Sequence, residues 1–512
     1  MSNKPNVMFI VVDQMRADCV HGALADHVQL PNIQALRKEA VTFTNHFGVT
    51  SPCGPARASL LTGLYAMNHR SVRNGVPLAS DIPNVALQAR QAGYEPMLFG
   101  YTDTSQDPRD FHANDPDLTH EEQVMPGFHE LLEMRAQLSM PWRAHLKSKG
   151  YTLPDYADFY NPAPVTGQPT RVTDPAFYTA QDSDTAFLTD QLLNYLAVRT
   201  DPGWFALATY IRPHPPLVAP APYNTLYDPA ALPLPARPPT LADEAAIHPF
   251  LAGALEKPAL NDTVRGITNP LDAANDADVQ ALRAVYLGLA TEVDAHIGRI
   301  IQFLKDSGQY DSTILIFTSD HGVCLGDHHM WGKLNPYDAS YRVPLVIRDP
   351  RQPDQYGHIV DAFTESTDLM PTLLTLIDAP VPHSLNGVSL TPFLAGKPPT
   401  IWRDAVHMEL DFGEPDHMTP KQQATGTQFH TSNLAILREA RFKLVHFNGG
   451  LAPLLYDLQS DPDELHNLAD DPAHAATLLR LTQKLLSHRM QHADNRLSDM
   501  RVGRGGVVQF QQ

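Results

Sequence analysis

The sequence predicts a doubly wound α/β fold followed by a smaller α+β domain. Three observations carry that expectation. Short apolar runs recur through the first 350 residues and are continuous rather than alternating, as in strands buried on both faces. Helical stretches lie between them. Near residue 396 the pattern changes to shorter strands and one amphipathic helix. With 512 residues and a hydrophobic fraction of 43%, the chain can bury a large core.

The apolar runs come in the order "NVMFIVV" (Asn6–Val12), "EPMLFG" (Glu95–Gly100), "WFALATYI" (Trp204–Ile211), "TILIFT" (Thr313–Thr318) and "VPLVI" (Val343–Ile347), and all five read as buried parallel strands. Helices are expected over Pro31–Ala40 and Asp278–Asp306. "TSPCGPARASLLTGLY" (Thr50–Tyr65) reads as the start of another helix. Pro55 suits a first turn, and Ala58, Leu60, Leu61, Leu64 and Met67 recur at roughly helical spacing. Cys53 then sits at a helix N-terminus, where N–H groups and the macrodipole favour an anion.

The stretch Gln106–Arg171 reads as an irregular insertion. Arg212–Thr240 holds ten prolines between Pro213 and Pro239 and reads as a stiff, ordered loop over one face. In "STDLMPTLL", Ser366 and Thr367 read as caps of an apolar helix rather than metal ligands. The change of pattern divides the chain into residues 1–395 and 396–512. In the second unit "DAVHMELDF", "LAILREARFKLVHF" and "PLLYDL" read as antiparallel strands and "HAATLLRLTQKLLSHRMQHA" as a helix. Asp499–Gln512 reads as a tail or an arm reaching a neighbouring subunit.

The net charge of −19, from 57 acidic and 38 basic side chains, argues against nucleic acid and anionic membranes as partners. Three cysteines, Cys19, Cys53 and Cys324, do not suggest a disulfide framework and fit a reducing compartment. No segment reaches transmembrane length, and Val7–Val12, closed by Asp13, is too short for a secretory signal. The expectation is a soluble, cytoplasmic protein.

In open α/β sheets function sits beyond the carboxyl ends of the strands. Asp13 follows the first run, Tyr101 and Asp103 the second, His214 the third, and Asp320 and His321 the fourth. One aspartate after a strand commonly caps a helix, but the coincidence over four strands points to a site. Asp13, Asp320 and His321 form a candidate divalent-metal site, and the imidazole shifts preference from Ca²⁺ towards Mn²⁺. Cys53 could be structural, a thiolate nucleophile, or a precursor of something else. A cysteine-phosphatase loop is excluded, because the residue six past Cys53 is Ser59 rather than arginine.

"CGPAR" followed by "SLLTG" resembles the signature of the sulfatase family, Cys-x-Pro-x-Arg with a downstream Leu-Thr-Gly. The chain is most similar to the branch of phosphonate monoester hydrolases and promiscuous arylsulfatases, through "VVDQMRAD" (Val11–Asp18), "CGPARASLLTGLYAMNHRSVRNGVPL" (Cys53–Leu78), "RPHPP" (Arg212–Pro216) and "SDHGVCLGDHHMWGK" (Ser319–Lys333). The resemblance implies an alkaline-phosphatase-like sandwich with a large, mostly parallel sheet flanked by helices, plus a small C-terminal domain with an antiparallel sheet. It implies that Cys53 is oxidised by a formylglycine-generating enzyme to Cα-formylglycine, whose hydrate is the nucleophile. One divalent metal, Mn²⁺ rather than Ca²⁺, would be held by Asp13, modified Cys53, Asp320 and His321. Arg57 would hold the formylglycine loop, and Asn74, Tyr101, His214 and Lys333 would hold the substrate oxyanions or the leaving group.

The implied substrates are small monoanionic esters: sulfate monoesters, phosphonate monoesters and phosphodiesters. The implied assembly is a dimer or tetramer. Asp103 stands where that branch tends to carry threonine, so no role is carried over to it. A carboxylate there would repel a dianionic phosphate monoester. Two other readings stay open. One is a two-metal phosphatase or phosphodiesterase with a Ser/Thr nucleophile, and the other is a non-catalytic anion-binding relative.

Overall fold

The computed structural model describes residues 4–135, 139–164, 167–199, 201–256, 260–494, 496–498 and 500–509. Its main sheet has eight strands: β1 Asn6–Val12, β2 Val41–Phe43, β3 Pro96–Gly100, β4 His129–Glu133, β5 Phe205–Tyr210, β6 Thr313–Ser319, β7 Leu345–Arg348 and β8 Ile359–Val360. Their order across the sheet is β8-β2-β7-β6-β1-β5-β3-β4. The central strands β6, β1, β5 and β3 are parallel and fully buried, which is why they read as continuous apolar runs.

The expectation for "VPLVI" needs correcting. β7 lies antiparallel to both β6 and β2. Only short pieces, such as Cys324–Leu325 and Trp331–Gly332, separate it from β6. Without a crossover helix the chain returns from the same end of the sheet, and it must run antiparallel. The insertion Gln106–Arg171 is also less irregular than expected, since it holds edge strand β4 and the helix Met140–Ser148. Short β2 and β8 escaped notice for lack of length.

Helices cover both faces. On one side the long helix Asp276–Asp306 packs with Pro31–Lys38 and Asp184–Val198 over side chains such as Met8, Ile10 and Leu315. On the other, Cys53–Thr62, Val85–Gln91 and Leu369–Leu376 cover Val7, Phe9 and Ile316. The alternation along β1 therefore feeds two cores. The proline-rich connection is ordered as expected. It runs over the long helix, where Gln280 donates to the Leu232 carbonyl at 2.7 Å and Arg283 to that of Pro233 at 2.5 Å.

Ser366 and Thr367 are not the caps. Glu365 and Asp368 form the reciprocal capping pair, and Ser366 Oγ instead accepts from the Val49 N–H. The antiparallel sheet of the C-terminal region contains β9 Ala405–Asp411, β10 Asn433–Glu439, β11 Phe442–Phe447 and β12 Leu454–Asp457 in that order, backed by the helix Ala475–Gln491. The tail forms a hairpin of Met500–Gly503 and Gly506–Gln509, while Asp499 and residues 510–512 lie outside the described residues. All three cysteines are free and buried. Among the described residues no helix is long and apolar enough to cross a membrane.

Candidate active site

Sheet register builds the site. Val12 of β1 pairs with Tyr210 of β5 on one side and with Ser319 of β6 on the other. The next residues therefore leave the sheet side by side at one edge, strands about 4.8 Å apart. Asp13 stands in the middle, Asp320 and His321 leave β6, and Tyr101 leaves β3 one strand beyond β5. The turn after Asp13 is strained, with Gln14 at φ +66°, and its N–H donates to Asp320 Oδ1 at 3.1 Å.

The helix Cys53–Thr62 closes the site from the covered face. Cys53 is its first residue and the whole helix is buried. Gly54 faces a tight wall: a Cβ there would lie 3.0 Å from the Asp103 carbonyl oxygen and 3.1 Å from Asn74 Oδ1. Its N–H donates to that same Asn74 oxygen at 3.0 Å. Arg57, one turn on, points back under the centre. Its Nε donates to Asp320 Oδ2 at 2.9 Å, Nη2 to Asp13 Oδ2 at 3.1 Å and Nη1 to the Tyr101 carbonyl at 2.9 Å. The guanidinium lies 4.0 Å from the Tyr101 ring.

Asp13, Cys53, Asp320 and His321 each bring one donor atom into a group whose members all lie within 4.8 Å of one another. Cys53 Sγ is 3.3 Å from His321 Nε2 and 3.8 Å from Asp13 Oδ1. His321 Nε2 is 3.7 Å from both Asp13 Oδ1 and Asp320 Oδ1. His321 Nδ1 lies 2.9 Å from the Gly322 carbonyl, which can only accept, so the proton is on Nδ1 and the Nε2 lone pair faces the two carboxylates. Burial lowers the imidazole's pKa and keeps it neutral. Three buried acceptors converging without a proton between them fit a divalent cation, and the mixed oxygen and nitrogen donors suit it.

The electrostatics are strongly biased. Burial would raise the Asp13 pKa, but His214, Lys333, Arg57 and His321 together hold it well below the usual carboxylate range. Lys333 Nζ donates to Cys53 Sγ at 2.8 Å and to Gln14 Oε1 at 3.2 Å. Burial lowers its pKa, but Cys53, Asp13 and Asp320 outweigh that and raise it. The Cys53 thiol is pushed well up by burial and by Asp13, despite Lys333. An unmodified Cys53 therefore stays a thiol and is a poor nucleophile.

The other expected residues are placed as follows. Asn74 and His214 line the cleft above Lys333. His214 Nδ1 lies 2.6 Å from the Pro215 carbonyl, so Nδ1 carries the proton and Nε2 an open lone pair, and burial lowers its pKa to about 4. Tyr101 is different. It is buried, and its hydroxyl donates to Asp13 Oδ2, which puts it behind the ligand rather than in the cleft. Asp103 is buried at φ +51°, and burial raises its carboxyl to about 7. Its charge acts on Cys53, Arg57 and Lys333, so it belongs to the surroundings of the centre.

The cleft above these residues has a volume of about 640 Å³. Part of its wall was missed from sequence: Asp411, Phe412, Glu414 and Lys421 come from the C-terminal region, Leu255 and Arg265 from the segment after the proline-rich loop. No short-range pattern marks these residues, since each is an ordinary loop, strand-end or helix-end side chain.

Residues 5–379 match the Sulfatase family model, and residues 326–491 match that of the C-terminal region of N-sulphoglucosamine sulphohydrolase. The chain is 39% identical over 513 residues to the multifunctional alkaline phosphatase superfamily protein PehA of Trinickia caryophylli, covering 99% of each. It is 27% identical to an arylsulfatase of Clostridium perfringens, over 91% of this chain and 90% of the other. Among solved structures, it superposes on a phosphonate monoester hydrolase from Silicibacter pomeroyi with a TM-score of 0.96 at 53% identity, covering 99% of both chains. A phosphonate monoester hydrolase of Agrobacterium radiobacter gives 0.93 at 42%, over 99% of this chain and 100% of that one. These matches show that the chain is a hydrolase belonging to the sulfatase family of the alkaline phosphatase superfamily.

Proposed function

We propose that the chain is a formylglycine-dependent, metal-assisted hydrolase of small monoanionic esters: sulfate monoesters, phosphonate monoesters and phosphodiesters. One observation carries the reading. Asp13, Asp320 and His321 converge on Cys53, the cysteine of a Cys-x-Pro-x-Arg sequence, whose own thiol is held protonated. As a thiol, Cys53 is a weak nucleophile and a soft ligand among hard ones. As the hydrate of formylglycine it would offer two hydroxyl oxygens at the same point. A formylglycine-generating enzyme would be the maturation partner.

The divalent cation, Mn²⁺ rather than Ca²⁺ because of His321, would stabilise the anionic oxygens of the ester and acidify the hydroxyl beside it. Arg57 holds Asp13 and Asp320 in place from below. Lys333, within reach of residue 53 and of the cleft, balances charge that grows in the transition state. Asn74 is suited to orient an ester oxygen. One hydroxyl of the hydrated residue 53 would lose its proton to solvent and attack sulfur or phosphorus, and the departing oxygen would take up a proton from solvent and leave as the alcohol. His214 Nε2, neutral and open to the cleft, takes the proton of the second hydroxyl. The C–O bond to sulfate or phosphonate then breaks, the aldehyde returns, and water hydrates it again. Tyr101 acts through Asp13, as a positioning residue.

The reading extends to the whole molecule. Residues 1–395 would form the catalytic unit and 396–512 a second unit walling the cleft. The exposed Val502, Val507 and Val508 of the terminal hairpin favour an assembly of two or four copies. A cytoplasmic setting suits three free cysteines. Peptide mass spectrometry with elemental analysis tests the core of the proposal. The peptide containing residue 53 is expected to be lighter than the cysteine form by about the mass of a water, with one divalent metal per chain. Active enzyme with only unmodified cysteine, or with two metals, would reject it.

A further inference from the structure

The outer half of the cleft has more cations than its own anions use. Lys421 stands in the short helix Pro420–Thr425, which lies directly on the helix Pro249–Leu255. The contact is backbone-close: a Cβ on Gly253 would come 2.6 Å from Lys421 Cα. Lys421 is therefore fixed at its root, with its ammonium 5.7 Å from the Phe250 ring centre. Among the described residues that ammonium has no ion pair and no hydrogen-bond partner. Its surroundings desolvate it enough to lower its pKa to about 8. Lys421 is half-buried and lines the cleft, so an anion entering there meets an ammonium that has no counter-charge of its own.

The anions nearby are otherwise engaged. Glu414 pairs with Arg73 at 3.6 Å, and Asp411, whose carboxyl burial raises to about 6, is held by Arg70 and Arg73 rather than by Lys421. Arg265 lines the same region and makes no ion pair among the described residues. This excess of positive charge occurs in a chain of net charge −19, so it is local and specific to the cleft. The same cleft is also lined by apolar side chains, Leu255, Trp331 and Phe412.

In-line displacement sets what occupies this space. The attacking oxygen comes from residue 53 at the floor, so the leaving oxygen points away from it, up into the cleft. We propose that the outer cleft is a leaving-group subsite, in which Lys421 with Arg265 binds an anionic oxygen group carried on an aromatic or apolar alcohol. The inference rests on the reading of the inner centre as the place of ester cleavage, and it narrows the substrate class to esters with a second, remote negative charge.

The test compares 4-carboxyphenyl and 4-carbamoylphenyl phenylphosphonate, similar in shape and different in charge, with metal-loaded wild type, Lys421→Met and Lys421→Arg. The readout is the ratio of kcat/KM for the two esters, in which intrinsic reactivity cancels between variants. The carboxylate-to-amide ratio is expected to fall about tenfold in Lys421→Met and to be largely kept in Lys421→Arg. An unchanged ratio in Lys421→Met overturns the proposal, and so does an equal loss for both esters. If no variant cleaves either ester, the reading of the centre has failed. The subsite is then judged by calorimetric binding of 4-hydroxybenzoate, the leaving group itself. At least tenfold weaker binding by Lys421→Met than by wild type supports the subsite. Equal or undetectable binding in both overturns it.

Discussion

The two halves of the cleft are built on opposite principles. On the floor the polar groups hold one another: Arg57 reaches Asp13 and Asp320, Lys333 donates to Cys53 Sγ and Gln14 Oε1, and Tyr101 donates to Asp13. All of these residues come from the ends of sheet strands or the helix locked against them. In the outer wall, side chains from three separate segments meet, and Lys421 and Arg265 lack partners among the described residues. A saturated floor fixes geometry for one chemistry, whereas an unsaturated wall leaves polar capacity for whatever substrate arrives. Changes in the floor are therefore expected to abolish activity, and changes in the wall to redirect it.

The largest effect is expected at residue 53. Cys53→Ala removes the proposed nucleophile and one ligand together, and kcat/KM for an aryl sulfate or phenylphosphonate ester is expected to fall by roughly four orders of magnitude. A variant within tenfold of wild type would break the distinction between floor and wall. Next is Arg57→Met. Losing the guanidinium leaves two buried carboxylates facing each other, and apo-protein stability is expected to drop by about 3–5 kcal/mol in denaturant unfolding. Saturating Mn²⁺ is expected to restore part of this, because the cation takes over the neutralisation. A loss that Mn²⁺ leaves untouched would mean that Arg57 holds the helix rather than the charges.

This contrast also governs what was legible in the sequence. Most of the floor could be read because Asp13, Tyr101, Asp320 and His321 follow apolar runs and Cys53 and Arg57 lie within one ten-residue stretch, which strand register brings together, whereas Lys333 was reached only through the family resemblance. Asp13, Asp320 and His321 needed only β1 and β6 to be neighbours. Tyr101 was legible as a member but not in its orientation, since its contact with Asp13 depends on how β3 and β5 pair in the sheet. The wall could not be read. Lys421 reaches the cleft only because a six-residue helix of the C-terminal region settles on Gly253, a contact across more than 160 residues that leaves no local trace. The antiparallel β7 was misread for a related reason: burial shows in the apolar run, direction only in the connection.

A third region, where the C-terminal helix meets strand β9 and Tyr65, just past the end of the Cys53–Thr62 helix, gives a smaller effect. The His407 and His488 rings stack at 4.4 Å, those of His488 and His492 at 4.1 Å, and the Tyr65 ring stands edge-on to all three. Arg403, Arg489 and Glu365 surround them. Burial lowers His407 to about 3 and His488 to about 2. Both are neutral when folded, while the unfolded chain takes up protons below about pH 6.5. Stability is thus unaffected above that pH and falls as pH drops from about 6.5 towards 3. At pH ~4.5 each imidazole accounts for about 3 kcal/mol. His488→Phe keeps a ring without titrating, and it is expected to flatten the slope of unfolding free energy between pH ~7 and ~4.5. An unaltered slope would place the acid sensitivity elsewhere.

The smallest effect is expected at Asp103, on the border between floor and wall. A charged carboxylate there repels a second negative charge on the substrate. Phosphate monoesters acquire that charge near pH ~6, while sulfate monoesters and phosphodiesters stay monoanionic. Burial raises the Asp103 carboxyl to about 7, so it is neutral in mild acid and charged above neutrality. The sign follows: discrimination against phosphate monoesters is weak near pH ~6 and grows towards pH ~8.5, first through the substrate and then through Asp103. Asp103→Thr removes only the second contribution. The variant is therefore expected to match wild type in its diester-to-monoester ratio of kcat/KM near pH ~6, and to fall below it by roughly fivefold at pH ~8.5. That difference corresponds to about 1 kcal/mol, what two charges some ~15 Å apart exchange at an effective dielectric of ~20. Ratios measured for both proteins at several pH values decide the point. Parallel curves would mean that the carboxylate does not act on the substrate. A gap already fully open near pH ~6 would mean that Asp103 is charged where it should be neutral, and its carboxylate would then need a partner that keeps it ionised.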